Sequence, residues 1–190
     1  MAGELDSGQG RCGWCLVDDL YRRYHDEEWG RPSFDDHHLF EHLILETFQA
    51  GLSWHLILKK REHFREAFFG FDASKMACMD STAVQLLLEN PGIIRNRLKI
   101  EAAIGNARAF LHAFPQKGDF SNFMWGFVGA TPIIHHPKTL DELPSRSPEA
   151  DAMSKALKKL GFRFVGSTTC YAFMQAVGMV NDHLATCPWK

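Results

Sequence analysis

The sequence predicts an all-α protein. Three observations carry that expectation: apolar residues recur at three- and four-residue steps, no segment alternates like a solvent-facing strand, and the periodic runs are bounded by capping residues, Gly or Pro. Roughly eight helices follow, with no internal repeat and no low-complexity tract.

The elements are justified in chain order. Residues 1–10 are short, polar and acidic, without the basic and apolar regions of a signal peptide, and read as a disordered leader. Ser33, followed by Asp35 and Asp36, opens a helix whose stripe is Leu39, Phe40, Leu43, Ile44, Thr47 and Phe48. Gly51 breaks it, and a second helix starts at Ser53 with Trp54, Ile57, Leu58 and Arg61. Asp72 and Asp80 cap short helices, the second carrying Val84, Leu87 and Leu88 and stopping at Asn90-Pro91-Gly92. A long helix spans about Arg95 to Phe114, and a short aromatic one Phe120 to Val128. Thr131 to Pro148 is a loop. Ser147-Pro148-Glu149 then opens a helix striped by Ala150, Met153, Leu157 and Leu160 and closed by Gly161, and a last helix covers about Thr168 to Val180.

The net charge of −2 excludes a globally basic nucleic-acid binder, so any DNA contact must be local. Three clusters offer it: Lys59, Lys60 and Arg61; Arg95, Arg97 and Lys99; and Lys155, Lys158 and Lys159, each equally readable as a solvated helix face. No apolar stretch approaches a membrane span, so no membrane partner is expected. Five cysteines without an export signal suggest a reducing, cytoplasmic compartment, where metal binding or burial outcompetes disulfides.

Four constellations could carry chemistry. Cys12 and His25 near the start, with His183 and Cys187 near the finish, satisfy the ligand set of tetrahedral zinc, which would be structural; ordinary buried residues are the alternative, and the spacing alone does not decide. The His183–Cys187 step would stack both ligands on one helical face. Trp14, Tyr21, Tyr24, Trp29 and Trp54 could wall a flat, cationic base through stacking and cation–π attraction, or fill the core. Glu46 lies in an apolar run, either desolvated there or on a polar side facing water. The turn from Asn90 to Asn96 could present amides to phosphate or be a plain helix corner. Cys12-Gly13-Trp14-Cys15 has redox spacing but lacks a strand before it.

Taken together, these stretches resemble the DNA-3-methyladenine glycosylase I family. The match runs through Arg11-Cys12-Gly13-Trp14, Tyr24-His25-Asp26, Glu28-Trp29-Gly30, Gln49-Ala50-Gly51-Leu52-Ser53-Trp54 and Gly92-Ile93-Ile94-Arg95. It continues through Ser154-Lys155, Leu157-Lys158-Lys159, Gly161-Phe162, Phe164-Val165-Gly166 and Asn181-Asp182-His183, in one order over nearly the whole chain. The resemblance implies a helix-hairpin-helix DNA glycosylase fold, with zinc at Cys12, His25, His183 and Cys187 joining the two ends. Residues 11–190 would then be one catalytic unit of two lobes: the hairpin at about 80–114, and a zinc-stapled lobe from about 11–32 plus 147–190.

The same resemblance implies monofunctional excision of 3-methyladenine from double-stranded DNA by base flipping, by a monomer, cytoplasmic and nucleoid-associated in a bacterium. Glu46 would be the catalytic group, with Tyr24, Trp14, Tyr21 and Trp54 binding the base and Pro91, Gly92, Ile93, Ile94 and Arg95 anchoring the DNA backbone. Phe48 stands where the family pattern has a polar residue. Two rivals make separate demands: a Cys12–Cys15 thiol oxidoreductase needs a reversible disulfide, and an idle DNA-binding module would release no base.

Overall fold

The computed structural model describes residues 10–190, so the leader reading of residues 1–9 lies outside the described residues. Gly10 is described, and sits against the Thr186 carbonyl at the other end of the chain. A 3₁₀ turn at Gly13–Val17 leads into α1 (Asp19–Glu27), then α2 (Asp36–Gln49) and α3 (Trp54–Ala67). The short α4 (Ala73–Ala77) and α5 (Ser81–Glu89) precede the long α6 (Arg97–Ala113) and α7 (Asp119–Trp125). Strand β1 (Ile133–Ile134), α8 (Pro148–Lys159), α9 (Ser167–Ala176) and β2 (Val180–Asn181) complete the order.

Local chemistry sets the starts. Asp18, Asp35, Ser53, Asp72, Asp80, Asn96 and Ser147 each accept a backbone N–H in the first turn of the helix they precede. The α2 cap is therefore Asp35, not Ser33, whose own amide instead donates to the Val177 carbonyl. Arg95 falls in the turn before α6, because Asn96 takes the cap.

The core is built around α2. Ten consecutive residues, Leu39 to Phe48, are buried. A helix buried on all sides is a central one, and α3, α6, α7 and α9 pack around it. Lys99 fixes its C-terminal end: its ammonium group is buried and donates to the carbonyls of Phe48 (2.9 Å) and Ala50 (2.6 Å). These are carbonyls that the helix itself cannot satisfy.

Two expectations about the end of the chain are corrected. The last helix stops at Ala176, because Gly178 adopts φ +74° and lets the backbone of Arg31 and Pro32 pass where a side chain would stand. The chain then enters β2, which pairs in parallel with β1, so the all-α description holds apart from this two-residue ladder. His183 and Cys187 are consequently not on a helix. After β2 the chain turns, with Ala185 N–H donating to the Pro137 carbonyl and Leu184 N–H to the Cys12 sulfur (3.4 Å). Among the described residues no helix is long and apolar enough to cross a membrane.

Candidate active site and candidate metal centre

The helix α2 that lacks a wet face is the one that carries Glu46. Its carboxyl is 3% exposed, and Oε2 has no hydrogen-bond partner among the described residues. Desolvation holds the group well above the usual carboxyl range. It opens into a cavity of about 210 Å³ lined by Trp14, Tyr21, Tyr24, Trp29, Glu46, Gln49, Trp54, Leu143, Ala172 and Gln175. The reading of Glu46 on a polar, wet side of its helix is thereby excluded.

Three separate segments bring the rings together. Trp14 comes from the 3₁₀ turn, Tyr21 and Tyr24 from one face of α1, and Trp54 from the start of α3. Trp14 lies 4.8 Å from Tyr21 and 5.0 Å from Trp29, and Tyr24 lies 5.4 Å from Trp54 between ring centroids. Tyr21 is stacked on His55 at 4.8 Å, and His55 is held by Asp18 at 2.7 Å. Burial and then the Glu46 charge raise both phenols above their ordinary value, Tyr21 to about 12, so both stay protonated donors. The Trp54 indole N–H and the Gln49 side-chain oxygen are also buried without partners. An aromatic box with such unpaired polar atoms is shaped for a flat ligand carrying its own donors and acceptors.

Trp29 joins this wall, and so do Gln49, Leu143, Ala172 and Gln175, which the sequence did not single out. Gln49 had a signal, being one helical turn beyond Glu46. The other three did not, because the loop and α9 that supply them are far off in sequence. Phe48 points elsewhere: it is fully buried against Phe64 and Phe68, so it shapes the core and not the cavity.

At the chain ends, Cys12, His25 and Cys187 offer ligand atoms that all lie within 4.8 Å of one another, and all three are buried. His183 stands beside them, its ring 4.8 Å from that of His25, with Nε2 buried and partnerless. His25 donates through Nδ1 to Asp26 (2.7 Å) and His183 through Nδ1 to Asn181 (2.9 Å), which leaves Nε2 as the potential ligand atom of each ring, that of His25 lying 3.5 Å from Cys187 Sγ. Burial lowers both imidazoles, His183 to about 4, so both are neutral, the ligating form. Burial, reinforced by Cys187, pushes the Cys12 thiol up to about 12, a preference that a bound dication would reverse. Two thiols and an imidazole are the donor types that zinc takes, and His183, next to them but outside the three-residue group, would complete a tetrahedral set. Cys15 is buried outside the set, and burial raises its thiol to about 11, against a redox role.

The turn at 90–96 joins α5 to α6. Asn90 closes it by accepting the Gly92 N–H (2.8 Å), and Gly92 is packed so closely on His63 that a Cβ would lie 2.8 Å from that side chain. Ile93 is buried beneath the turn, while Arg95 and Arg97 are exposed. Several basic residues turn out to be engaged internally. Lys99 caps α2, Lys60 donates to the Pro91 carbonyl (2.7 Å), Lys59 pairs with Asp18 (3.2 Å), and Arg61 pairs with Glu28 (2.9 Å). Lys155, Lys158 and Lys159 stay exposed on α8.

Comparison with known proteins agrees with this architecture. The chain is 51% identical over 177 residues to DNA-3-methyladenine glycosylase 1 of Escherichia coli, covering 93% of this chain and 95% of that one. A crystal structure of a 3-methyladenine DNA glycosylase I superposes with a TM-score of 0.91 at 50% identity, over 94% of this chain and 98% of the other. A Staphylococcus aureus enzyme, solved to give the structural basis of 3-methyladenine recognition, matches with a TM-score of 0.91 at 36% identity, over 96% and 97%. The family model described as methyladenine glycosylase matches residues 14–190, from the first tryptophan of the aromatic box to the last residue, and the chain belongs to that family.

Proposed function

We infer that this protein is a DNA base-excision repair glycosylase that hydrolyses the N-glycosidic bond of 3-methyladenine in alkylated DNA. Family membership supports the activity. The observation that carries the mechanism is the partnerless, buried Glu46 oxygen inside an aromatic box.

Alkylation at N3 makes adenine a cation and hence a good leaving group. As the bond from C1′ to N9 breaks, its electron pair leaves with the base and neutralises it, and water adds to the sugar carbon. The enzyme's task is to select the flipped cation and hold it as charge redistributes. Glu46 accepts from the exocyclic N–H2, Tyr24 supplies a second polar contact, and Trp14, Tyr21 and Trp54 contribute ring faces. A neutral adenine gains less from every one of these groups.

The finer parts of the reading belong together. The helices α5 and α6 act as a helix-hairpin-helix, with Pro91 to Arg95 against the backbone of double-stranded DNA. Structural zinc at Cys12, His25, His183 and Cys187 closes a terminal lobe against the lobe that carries the hairpin, and a monomer suffices. When bound, the zinc supplies cross-linking and no catalytic chemistry. Excision is monofunctional, since a lyase needs a lysine amine at the sugar C1′.

Incubating methylated duplex DNA with the protein and chromatographing the released bases tests the activity, with free 3-methyladenine expected. Binding without release would leave only a DNA-binding module, and a borohydride-trapped adduct would show lyase chemistry.

A further inference from the structure

The wall of the base cavity supplied by α9 has a polar group that the mechanism above does not use. Gln175 lines the cavity together with Glu46 and the rings. Its Nε2 donates to Asp182 Oδ2 at 2.7 Å. Asp182 is fully buried just beyond β2, and two more donors converge on it: Tyr171 Oη at 2.7 Å and His135 Nδ1 at 2.6 Å. Burial, with Asp182 adding to it, raises the Tyr171 phenol above its ordinary value, so Tyr171 stays a donor.

This network dictates which way the Gln175 amide faces. A carboxylate only accepts hydrogen bonds, so the amide must turn its NH2 end to Asp182. The carbonyl end is then the one left for the cavity. Glu46 Oε2 and Gln49 Oε1 are further acceptor oxygens of the wall, both buried and partnerless among the described residues, while the Tyr21 and Tyr24 hydroxyls there can also donate. A cavity with several inward oxygens favours a ligand that brings positive charge and N–H donors. It disfavours one that presents a lone pair where the exocyclic amine should be.

We propose that Gln175 is a specificity-determining residue of the base pocket, its carbonyl held by Asp182 to face the positive charge of an alkylated purine. The proposal rests on the base-pocket reading given above and adds, from α9, a group that separates cation from neutral base. Asp182 is the positioning residue, acting only through the amide it orients.

The test compares two small ligands by calorimetric titration: 3,9-dimethyladeninium, a fixed cation, and 9-methyladenine, its neutral counterpart. Gln175→Met keeps length and apolar contact but removes the oxygen. It should weaken the cation by about tenfold and leave the neutral ligand within about twofold, with a parallel drop in excision of 3-methyladenine. Gln175→Asn, which withdraws the amide by one methylene, gives the same reading should the methionine variant not fold. Asp182→Asn frees the amide to turn, and should narrow the cation-to-neutral ratio with Gln175 still present. An equal loss for both ligands, or an unchanged ratio, in the Gln175 variants overturns the assignment while leaving the enzyme's activity standing. A narrowed ratio in those variants alone, but not in Asp182→Asn, overturns the positioning role. Wild-type protein that releases no base removes the pocket reading and this proposal with it.

Discussion

Burying a carboxyl group among tryptophans and tyrosines opposes folding, and the way Glu46 titrates shows how. Its folded value lies well above the usual 4.5 because water is excluded, not because another charge repels it. Above pH 4.5 the unfolded chain releases this proton and the folded chain keeps it. The unfolded state thus binds fewer protons, and this residue's contribution to stability declines with rising pH until the folded group also ionises. Glu46→Gln removes the opposition, and calorimetric melting should place the variant a few degrees above the parent at about pH 7, with the gap closing toward about pH 4. A gap that is constant across that range would mean that the carboxyl is not desolvated as described. Function should move the other way. Single-turnover excision should fall by about 10²-fold in Glu46→Gln and further in Glu46→Ala, with duplex binding within about threefold, as the proposed contact of this group with the base requires. Equal losses in both measurements would place Glu46 in DNA binding. A residue that costs stability and supports turnover is what an active-site acid is expected to be.

The same tension is visible one level up, in how α2 is terminated. Its last turn holds Glu46 and Gln49 over the cavity, and the next residues lead through Gly51, at φ +77°, to the Ser53 cap and Trp54. Lys99, from the first turn of α6, satisfies two of the carbonyls at that corner. Lys99→Met keeps most of the buried stem but leaves those carbonyls unpaired, which should cost about 2–3 kcal/mol. A thermal melt should register this as a fall of about 4–9 °C. An unchanged melting temperature would mean that water replaces the ammonium without loss. Lys99 also marks a boundary of what the sequence discloses. Helix starts were legible, because capping is local: Asp72, Asp80 and Ser147 name their own partners two or three residues on. The Cys and His residues at the two ends and the aromatic box were legible only as a set, through family likeness. Illegible were pairings set by packing across the chain: Lys99 read as part of a basic cluster, either a DNA contact or a solvated face, until α2 stood before it, and Gln175 was silent until Asp182 arrived beside it. The His183–Cys187 step misled for the same reason, since a spacing of four fits a helix and a turn alike, and the strand pairing of β2 with β1 chose the turn.

At the scale of the molecule, the first and last described segments are not loose ends. The 3₁₀ turn and α1 carry Trp14, Tyr21 and Tyr24 into the cavity, yet they enter the core from a terminus that would otherwise fray. What fastens them is the meeting of Cys12 and His25 with His183 and Cys187, across more than 150 residues of chain, as the 162-residue separation of His25 and Cys187 shows. Arg11 adds a largely buried salt bridge to Asp26 (3.0 Å) and lies over the Trp189 ring at 4.0 Å, and the proposed zinc would add its bonds to these ties. We therefore expect one zinc per chain in protein purified without chelator. Cys12→Ala should lose that zinc and melt about 10 °C lower or more, because the closed loop and its buried polar donors are left without the ion. Excision should suffer at the assay temperature in proportion to unfolding of residues 10–30, and hydrogen exchange should locate that unfolding in α1 before it reaches α2. Cys15→Ala is the control, since Cys15 is buried beside the site without belonging to it. It should keep its zinc and lose only the small packing contribution of a sulfur atom. If Cys12→Ala retains a full equivalent of zinc and the parent's melting temperature, the two ends are held by apolar packing alone and the aromatic box does not depend on a metal.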